Sequence, residues 1–394
     1  MTTVTHRARK ASRHVSECVK SGLEGYLALL ERAVNTDSGP DNPAGIRHIE
    51  TIFAERFERL GASVEWSEAN GVDHLYARFT GGEANVIILG HADTVFGRGT
   101  AKLRPFEAAD GRAVGPGVAD MKGGLVVALA ALECLADVHY RPTVHVVIVG
   151  DEEVRLTPPP FLDLLRGDAC LVLECGRAAG GFVVGRKAGM WLNVSVEGRA
   201  AHVGTESELG RNAIVALCNE VLRISALHNA REGLTVTVAV VEGGTARNAV
   251  PDRGRALIDV RAPRSSDLDW ALAQIRGPNG APIGIRTMIE REGAWPPMSP
   301  GASQPLAKAY EELARAASVA SRAEISGGMS DGCWAAAAGI PTIDGIGPVG
   351  GLDHGPDEFI EVESIPARAG LLAGLLVEIE QRKRGQGERG EGHA

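Results

Sequence analysis

Three short apolar runs, "NVIILG" (85–90), "VHVVIVG" (144–150) and "ACLVLE" (169–174), each give way to residues suited to binding cations. The first runs into His91 and Asp93, the second into Asp151, Glu152 and Glu153, and the third ends in Glu174. Runs of this length between glycines predict buried strands. Helix-like stretches separate or precede them, at about 15–34, 44–60, "GGLVVALAALECLAD" (123–137) and "FLDLLRG" (161–167). The alternation predicts an α/β fold, a mixed and largely parallel sheet with helices on both faces. In such a sheet ligands bind beyond the carboxyl ends of the strands. Adjacent carboxylates there repel one another, and desolvation sharpens the repulsion. Either water solvates all three acids at 151–153, or a cation gathers them.

Two further residues belong with this set. Asp120, in "GPGVADMKGG", precedes a helix, and His354 stands in the glycine-rich "GGLDHGPDEF". Taken singly, Asp93 could cap a turn and Asp120 could cap the helix that follows it. Taken together, imidazoles and carboxylates recurring at equivalent strand ends point to a metal.

The pattern changes near residue 187. "GMWLNVSVEG" (189–198) alternates at period two. A helix (about 211–228), strands "LTVTVAVVEGG" (234–244) and "RGRALIDVR" (253–261), a short helix (about 267–276) and a strand "IGIRTMIER" (283–291) follow. The order β-α-β-β-α-β is that of a ferredoxin-like unit. "AWPPMSPGAS" (294–303) reads as a hinge, after which helices at 305–318 and 364–381 return to the first sheet. The expected organisation is therefore a catalytic domain in two parts, 1–186 and 299–382, interrupted by an inserted domain at 187–298. Residues 383–394, charged and glycine-rich, are expected to fray.

Length supports two domains, since 394 residues exceed what one core usually serves. A formal net charge of −9 without a basic stripe argues against a nucleic-acid partner. Six scattered cysteines without C-x-x-C spacing predict reduced thiols and a cytoplasmic protein. The basic N-terminus lacks the apolar core of a signal peptide. No apolar run is long enough to span a membrane.

"GHADTVF", "GPGVADMKGG", "GDEE", "LVLE", "GRAAHVG", "RNAVP" and "GLDHGPDEF" stand in the order and spacing of the di-zinc aminoacylase/carboxypeptidase family. The chain resembles its glutamate carboxypeptidase (carboxypeptidase G) branch most, through "RKAGMWLNVSVEGRAAHVG" and "GIPTIDGIGPVGG", over about residues 20–380. The resemblance implies a zinc-exopeptidase-like catalytic domain with an inserted dimerisation or lid domain. It implies two Zn²⁺ per subunit, with Co²⁺ or Mn²⁺ as substitutes. His91 and Glu174 would bind one ion, Glu153 and His354 the other, and Asp120 both. Asp93 would orient His91, and Glu152 would be the general base toward a water between the metals. His202, in "GRAAHVG", would reach the neighbouring subunit's site in a homodimer and stabilise an oxyanion. Asn248 and Arg261 would grip the substrate, and Gly327 and Gly328 would let its backbone approach. The implied reaction releases a C-terminal, glutamate-like amino acid from an acyl or peptidyl group.

One departure from that branch follows the paired glutamates. A glycine–serine turn is usual there, whereas this chain has "VRLTPPPF", so Arg155 and Pro158–Pro160 are expected to reshape the rim of the site. Lys122 and Asp151 gain no role, and Cys175 is read as a buried spectator thiol. Three other readings compete. An N-acyl-amino-acid deacylase would use the same site. A serine hydrolase would use Ser330 of "GMSDG" with Asp353 and His354. A non-catalytic relative would only bind an amino-acid conjugate.

Overall fold

In a computed structural model of the chain, residues 4–391 are described except 137, 139, 161–165 and 278–282. The helix expected over 161–167 lies largely outside the described residues. The chain opens with helices α1 (His6–Ser21), α2 (Leu23–Val34) and α3 (Pro43–Arg59). The helical region expected over about 15–34 starts earlier, at His6, and is broken at Gly22. Strands β1 (Ser63–Ala69), β2 (Val72–Phe79) and β3 (Asn85–His91) follow, then a short α4 (Thr100–Leu103), β4 (Glu107–Ala109) and β5 (Arg112–Val114). Helix α5 (Gly123–Cys134), β6 (Thr143–Val149), β7 (Ala169–Val172) and β8 (Gly181–Arg186) complete this part. The second sheet and its helices are β9 (Ala188–Glu197), α6 (Ala213–Ser225), β10 (Thr235–Gly243), β11 (Arg253–Ala262), α7 (Ser265–Ile275) and β12 (Arg286–Trp295). The chain then adds α8 (Gln304–Ala316), β13 (Arg322–Ser326), α9 (Gly332–Ala337), β14 (Thr342–Ile343), β15 (Gly350–Gly351), β16 (Phe359–Glu361) and α10 (Ser364–Glu391).

The main sheet runs β1-β2-β6-β3-β7-β14. Its β6, β3, β7 and β14 are parallel neighbours, while β1 and β2 add antiparallel pairings. Strand β3 is buried from Val86 through His91 because layers cover both faces. Helix α5 is apolar on every side but for Glu133 and is buried within the principal core. Its small residues permit that: a Cβ on Gly124 would meet the Leu173 carbonyl oxygen at 2.1 Å. On the other face Ile87, Leu89, Val147 and Val172 pack with Ala335 and Ile340. The carboxyl ends of β3, β6 and β7 thus open at one edge of a closed core.

The second sheet runs β10-β11-β9-β12, all antiparallel, in the ferredoxin-like order. Along β9, Met190, Leu192, Val194 and Val196 are buried in a core shared with α6 and α7. Period-two alternation sends Trp191 to the opposite, open face. The chain enters and leaves this unit through one bridge, in which Arg186 and Met298 exchange backbone hydrogen bonds of 2.9 and 3.1 Å. Strand β12 runs on to Trp295, four residues past its expected end, so the first residues of the expected hinge belong to the sheet.

Two other expectations are corrected. Helix α10 continues to Glu391, through the segment expected to fray, and three of its basic residues find acids. Arg382 Nε donates to Glu378 at 2.8 Å, Lys383 Nζ donates to Asp168 at 2.8 Å, and Arg384 pairs with Glu380. Cys18 of α1 and Cys134 of α5 form a disulfide, 116 residues apart in sequence. Helix packing, rather than local spacing, brings those thiols together. The premise of fully reduced cysteines therefore no longer supports a cytoplasmic location. Among the described residues, no helix is long and apolar enough to cross a membrane.

Candidate metal centre

His91, the last residue of β3, presents Nε2 3.0 Å from Asp120 Oδ1 and 3.9 Å from Glu174 Oε1. On the far side of Asp120, His354 Nε2 lies 3.1 Å from Oδ2 and 3.3 Å from Glu153 Oε2. Two three-residue groups result, His91–Asp120–Glu174 and Asp120–Glu153–His354, each with its ligand atoms within 4.8 Å of one another. Asp120 is common to both.

The surrounding chain holds these atoms in place. His91 Nδ1 faces Asp93, 3.1 Å from its carbonyl oxygen and 3.3 Å from Oδ1. The Asp93 carboxylate also accepts from the amides of Glu152 (3.2 Å) and Glu153 (2.9 Å), tying the end of β6 to the end of β3. The loop carrying Asp120 is gathered by Glu358, whose carboxylate accepts from the amides of Gly117 (3.0 Å), Ala119 (2.8 Å) and Asp120 (3.0 Å). Lys122 is buried and donates to the carbonyls of Thr36 (3.0 Å) and Pro116 (3.3 Å), fastening the same loop from behind. His354 sits at φ +64°, a region that non-glycine residues enter at a cost and that recurs at functional sites.

The electrostatics call for a cation. Burial pushes the Glu152 carboxyl up, and the nearby charges of Asp331, Glu153 and Asp120 add to it against His91. Glu174 is raised for the same first reason, burial, then by Asp120. His354 is pushed up to about 11 by its hydrogen bonds to Asp120 and Glu153. Glu153 Oε1 is buried with no partner among the described residues. Imidazoles drawn toward protonation, Glu152 and Glu174 drawn toward neutrality, and Asp120 kept ionised between the two imidazoles mark a crowded acidic site. Mixed N/O donors of this kind fit a divalent metal.

Arg155 does not lie at the rim, as "VRLTPPPF" suggested. It is buried, with NH1 2.5 Å from Asp151 Oδ1 and NH2 paired with Asp331. Asn70 Nδ2 donates to the other Asp151 oxygen at 2.8 Å. Asp151 and Arg155 thus clamp the turn bearing Glu152 and Glu153 to the loop 328–333. Ser330, the nucleophile of the serine-hydrolase reading, is fully buried and donates to Asp344 Oδ2 at 2.6 Å. His354 is engaged with Asp120 and Glu153 instead, which removes the geometry that reading needs. Cys175 is a buried thiol facing the carbonyls of Gly176 (3.4 Å) and Pro348 (3.6 Å).

A cleft of about 380 Å³ joins Asp120, Glu152, Glu153, Glu174 and His354 to a wall from the second sheet that includes Arg261. Arg261 NH1 donates to the carbonyl of Gly327 at 3.1 Å, and Gly328 lines the same cleft. His202 and Asn248 are not brought into it. Both are exposed near a backbone bridge between the two segments, where Val203 N donates to Asn248 O at 3.3 Å. Sequence reasoning missed Glu358, Trp191 and Trp295. The last two carried a signal, being tryptophans on strands of a chain with only 5.

Residues 87–378 match the family model described as peptidase family M20/M25/M40. Carboxypeptidase G2 of Pseudomonas sp. (strain RS-16) is 26% identical over 392 residues, covering 95% of this chain and 94% of that protein. A succinyl-diaminopimelate desuccinylase of Granulibacter bethesdensis is 28% identical over 382 residues, covering 89% and 97%. Among solved structures, an M20 family metallo-carboxypeptidase from Sulfolobus solfataricus superposes with a TM-score of 0.75 at 17% identity, covering 90% of this chain and 99% of that one. At that identity the likeness speaks for the fold.

Proposed function

The chain belongs to peptidase family M20/M25/M40, metal-dependent peptidases and amidohydrolases, and from that premise we propose that it releases a C-terminal amino acid from an acyl or peptidyl group. The resemblance by itself makes that amino acid glutamate-like. The observation that carries the reading is the pair of ligand triads sharing Asp120, with Glu152 and Arg261 in the same cleft. His91, Asp120 and Glu174 would hold one Zn²⁺ and Asp120, Glu153 and His354 a second, with Co²⁺ or Mn²⁺ as substitutes. Two such ions supply a water of lowered pKa and a polarised scissile carbonyl.

The protein's own groups do the rest. Glu152, a ligand of neither ion in this reading, takes the water's proton and returns it to the leaving nitrogen. Asp93 fixes the His91 ring and, through two backbone amides, the position of Glu152. Arg261 offers a fork suited to a carboxylate. His202 and Asn248, remote from the cleft of their own chain, would serve the cleft of a second copy in a homodimer, His202 donating to the developing oxyanion.

Removal of the acyl group from an N-acyl amino acid is the second reading, and the similarity to a desuccinylase favours it. It breaks the same bond. Turnover of N-acyl and peptidyl glutamates, aspartates and neutral amino acids with Zn²⁺ or Co²⁺ added tests both. Release of the amino acid is the expected result, and no release from any member would overturn the proposal.

A further inference from the structure

The wall of the cleft opposite the metal ligands is built by the open face of the second sheet. In the strand register Asp259 of β11 pairs with Trp191 of β9, and Trp191 in turn with Gly293 of β12. In the next row Arg261 pairs with Gly189, and Gly189 with Trp295. Two tryptophans and an arginine therefore occupy adjoining rows of one sheet face. Their rings lie 4.7 Å apart between centroids at 56°. Trp295 is only 5% exposed and backs Trp191. The space over Gly189 is filled by Met329, whose Sδ would lie 2.0 Å from a Cβ there. Trp191, Trp295, Met329 and Arg261 all line the cleft.

One carboxylate fixes the charged and the apolar parts relative to each other. Asp259 Oδ2 accepts from Trp191 Nε1 at 2.9 Å and from Arg261 NH2 at 3.0 Å, and Oδ1 accepts from Arg261 Nε at 2.9 Å. The single donor of the Trp191 indole is thereby used, so it can offer a ligand only its apolar surface. The guanidinium has five N–H groups. Asp259 and the Gly327 carbonyl take three of them. One remains on each terminal nitrogen, the pair that forks onto a carboxylate. The wall is also buttressed from the catalytic turn. A Cβ on Gly293 would lie 2.9 Å from the Leu156 carbonyl oxygen and 3.0 Å from the Trp295 ring, so "VRLT" abuts β12 beside the tryptophans.

We propose that Trp191, Trp295 and Met329 form a subsite for a planar or bulky apolar side chain borne by the residue whose carboxylate Arg261 holds. The amino acid released is then aromatic or large and apolar, in place of the glutamate-like one implied by resemblance. This rests on the proposed amide hydrolysis and names its substrate class. A carboxylate anchor and an indole shelf held side by side by Asp259 select both groups on one residue. A glutamate side chain would lay a second charge on that shelf and lose its hydration there.

The test is kcat/KM of the Zn²⁺-loaded enzyme for N-acetyl-phenylalanine, N-acetyl-leucine, N-acetyl-glutamate and N-benzoyl-glutamate, the last moving the ring to the acyl side. Phenylalanine release is expected to exceed glutamate release about 10-fold or more. Trp191→Ala should lower kcat/KM for N-acetyl-phenylalanine about 10–100-fold, mainly through KM, and for N-acetyl-glutamate less than about 3-fold. Trp191→Phe, which keeps a ring, should recover part of the loss, so misfolding of the alanine variant leaves the proposal testable. A preference for N-acetyl-glutamate, a Trp191→Ala effect confined to N-benzoyl-glutamate, or an equal loss on every substrate would each overturn this inference while leaving amide hydrolysis standing. No turnover of any member would instead remove the proposed function.

Discussion

The two walls of the cleft are built on opposite principles. The candidate metal wall gathers residues from the carboxyl ends of three parallel strands and two loops, and its crowded carboxylates repel one another. The wall of the second sheet is neutralised from within: Asp259 balances Arg261 and takes the indole N–H of Trp191. One wall is unsatisfied by construction and so carries reactivity. The other has its charge answered by Asp259, keeps two guanidinium N–H groups free for a ligand, and is fit to discriminate. Substitutions on the two walls should therefore fail differently, the first in turnover and the second in choice of substrate.

The largest effects belong to the metal wall. Asp120→Asn removes the carboxylate common to both triads, so metal content measured by mass spectrometry should fall and turnover should disappear with it. Prolonged dialysis against a chelator should do the same to the unmutated protein, with recovery on adding Zn²⁺. Glu152→Gln should separate binding from chemistry. Metal content stays near that of the parent while kcat falls about 10²–10⁴-fold, the usual cost of losing a general acid–base. Loss of metal in that variant would assign Glu152 a ligand's part and collapse the distinction from Glu153.

The metal wall was legible in the sequence, and the second wall much less so, for a physical reason. His91, Glu152, Glu153 and Glu174 each stand within a few residues of a short apolar run, so the same local pattern that predicts the strand places the side chain. Arg155 shows the limit. Its partner Asp331 is 176 residues away, and nothing in "VRLTPPPF" announces a buried guanidinium between two acids. Alternation alone puts Trp295 in a hinge, whereas β12 runs four residues further, through an irregular register between Arg291 and Gly293. The Cys18–Cys134 bond likewise depends on how α1 packs on α5. Fold class and candidate ligand set are written locally, whereas the wall proposed to select the substrate emerges from strand register and long-range pairing.

Arg155 joins the metal wall to the loop beneath the second one, and its loss should rank next. Arg155→Met leaves Asp151 and Asp331 buried without their shared cation. Breaking a buried pair on one side costs about 3–5 kcal/mol of stability. In urea unfolding the midpoint should drop accordingly, and kcat should fall about 10-fold or more as the turn bearing Glu152 loosens. Adding Asp331→Asn removes one of the two orphaned charges and should restore part of both losses. Failure of the double variant to improve on the single one would mean that packing of the side chain, not its charge, holds the turn.

The smallest effect on turnover is expected at Glu50, which lies in α3 away from the cleft yet shares the charge excess of the metal wall. Burial, and then the charge of Asp73, push its carboxyl up to about 9, with Arg47 opposing. Both of its oxygens are buried without a hydrogen-bond partner among the described residues. An acid whose pKa is higher folded than unfolded is protonated in the folded state over a range where the unfolded chain has already released the proton. Stability is therefore greatest below the ordinary carboxylate range and declines with rising pH until the folded pKa is passed, near 9. The slope from this one group is at most about 1.4 kcal/mol per pH unit. Glu50→Gln carries no proton to lose, so its unfolding free energy from urea titrations between about pH 5 and 9 should fall less steeply than that of the parent, with kcat almost unchanged. Parallel curves for the two proteins would show that Glu50 is ionised in the fold. The acidic excess would then be confined to the cleft, where a metal can answer it.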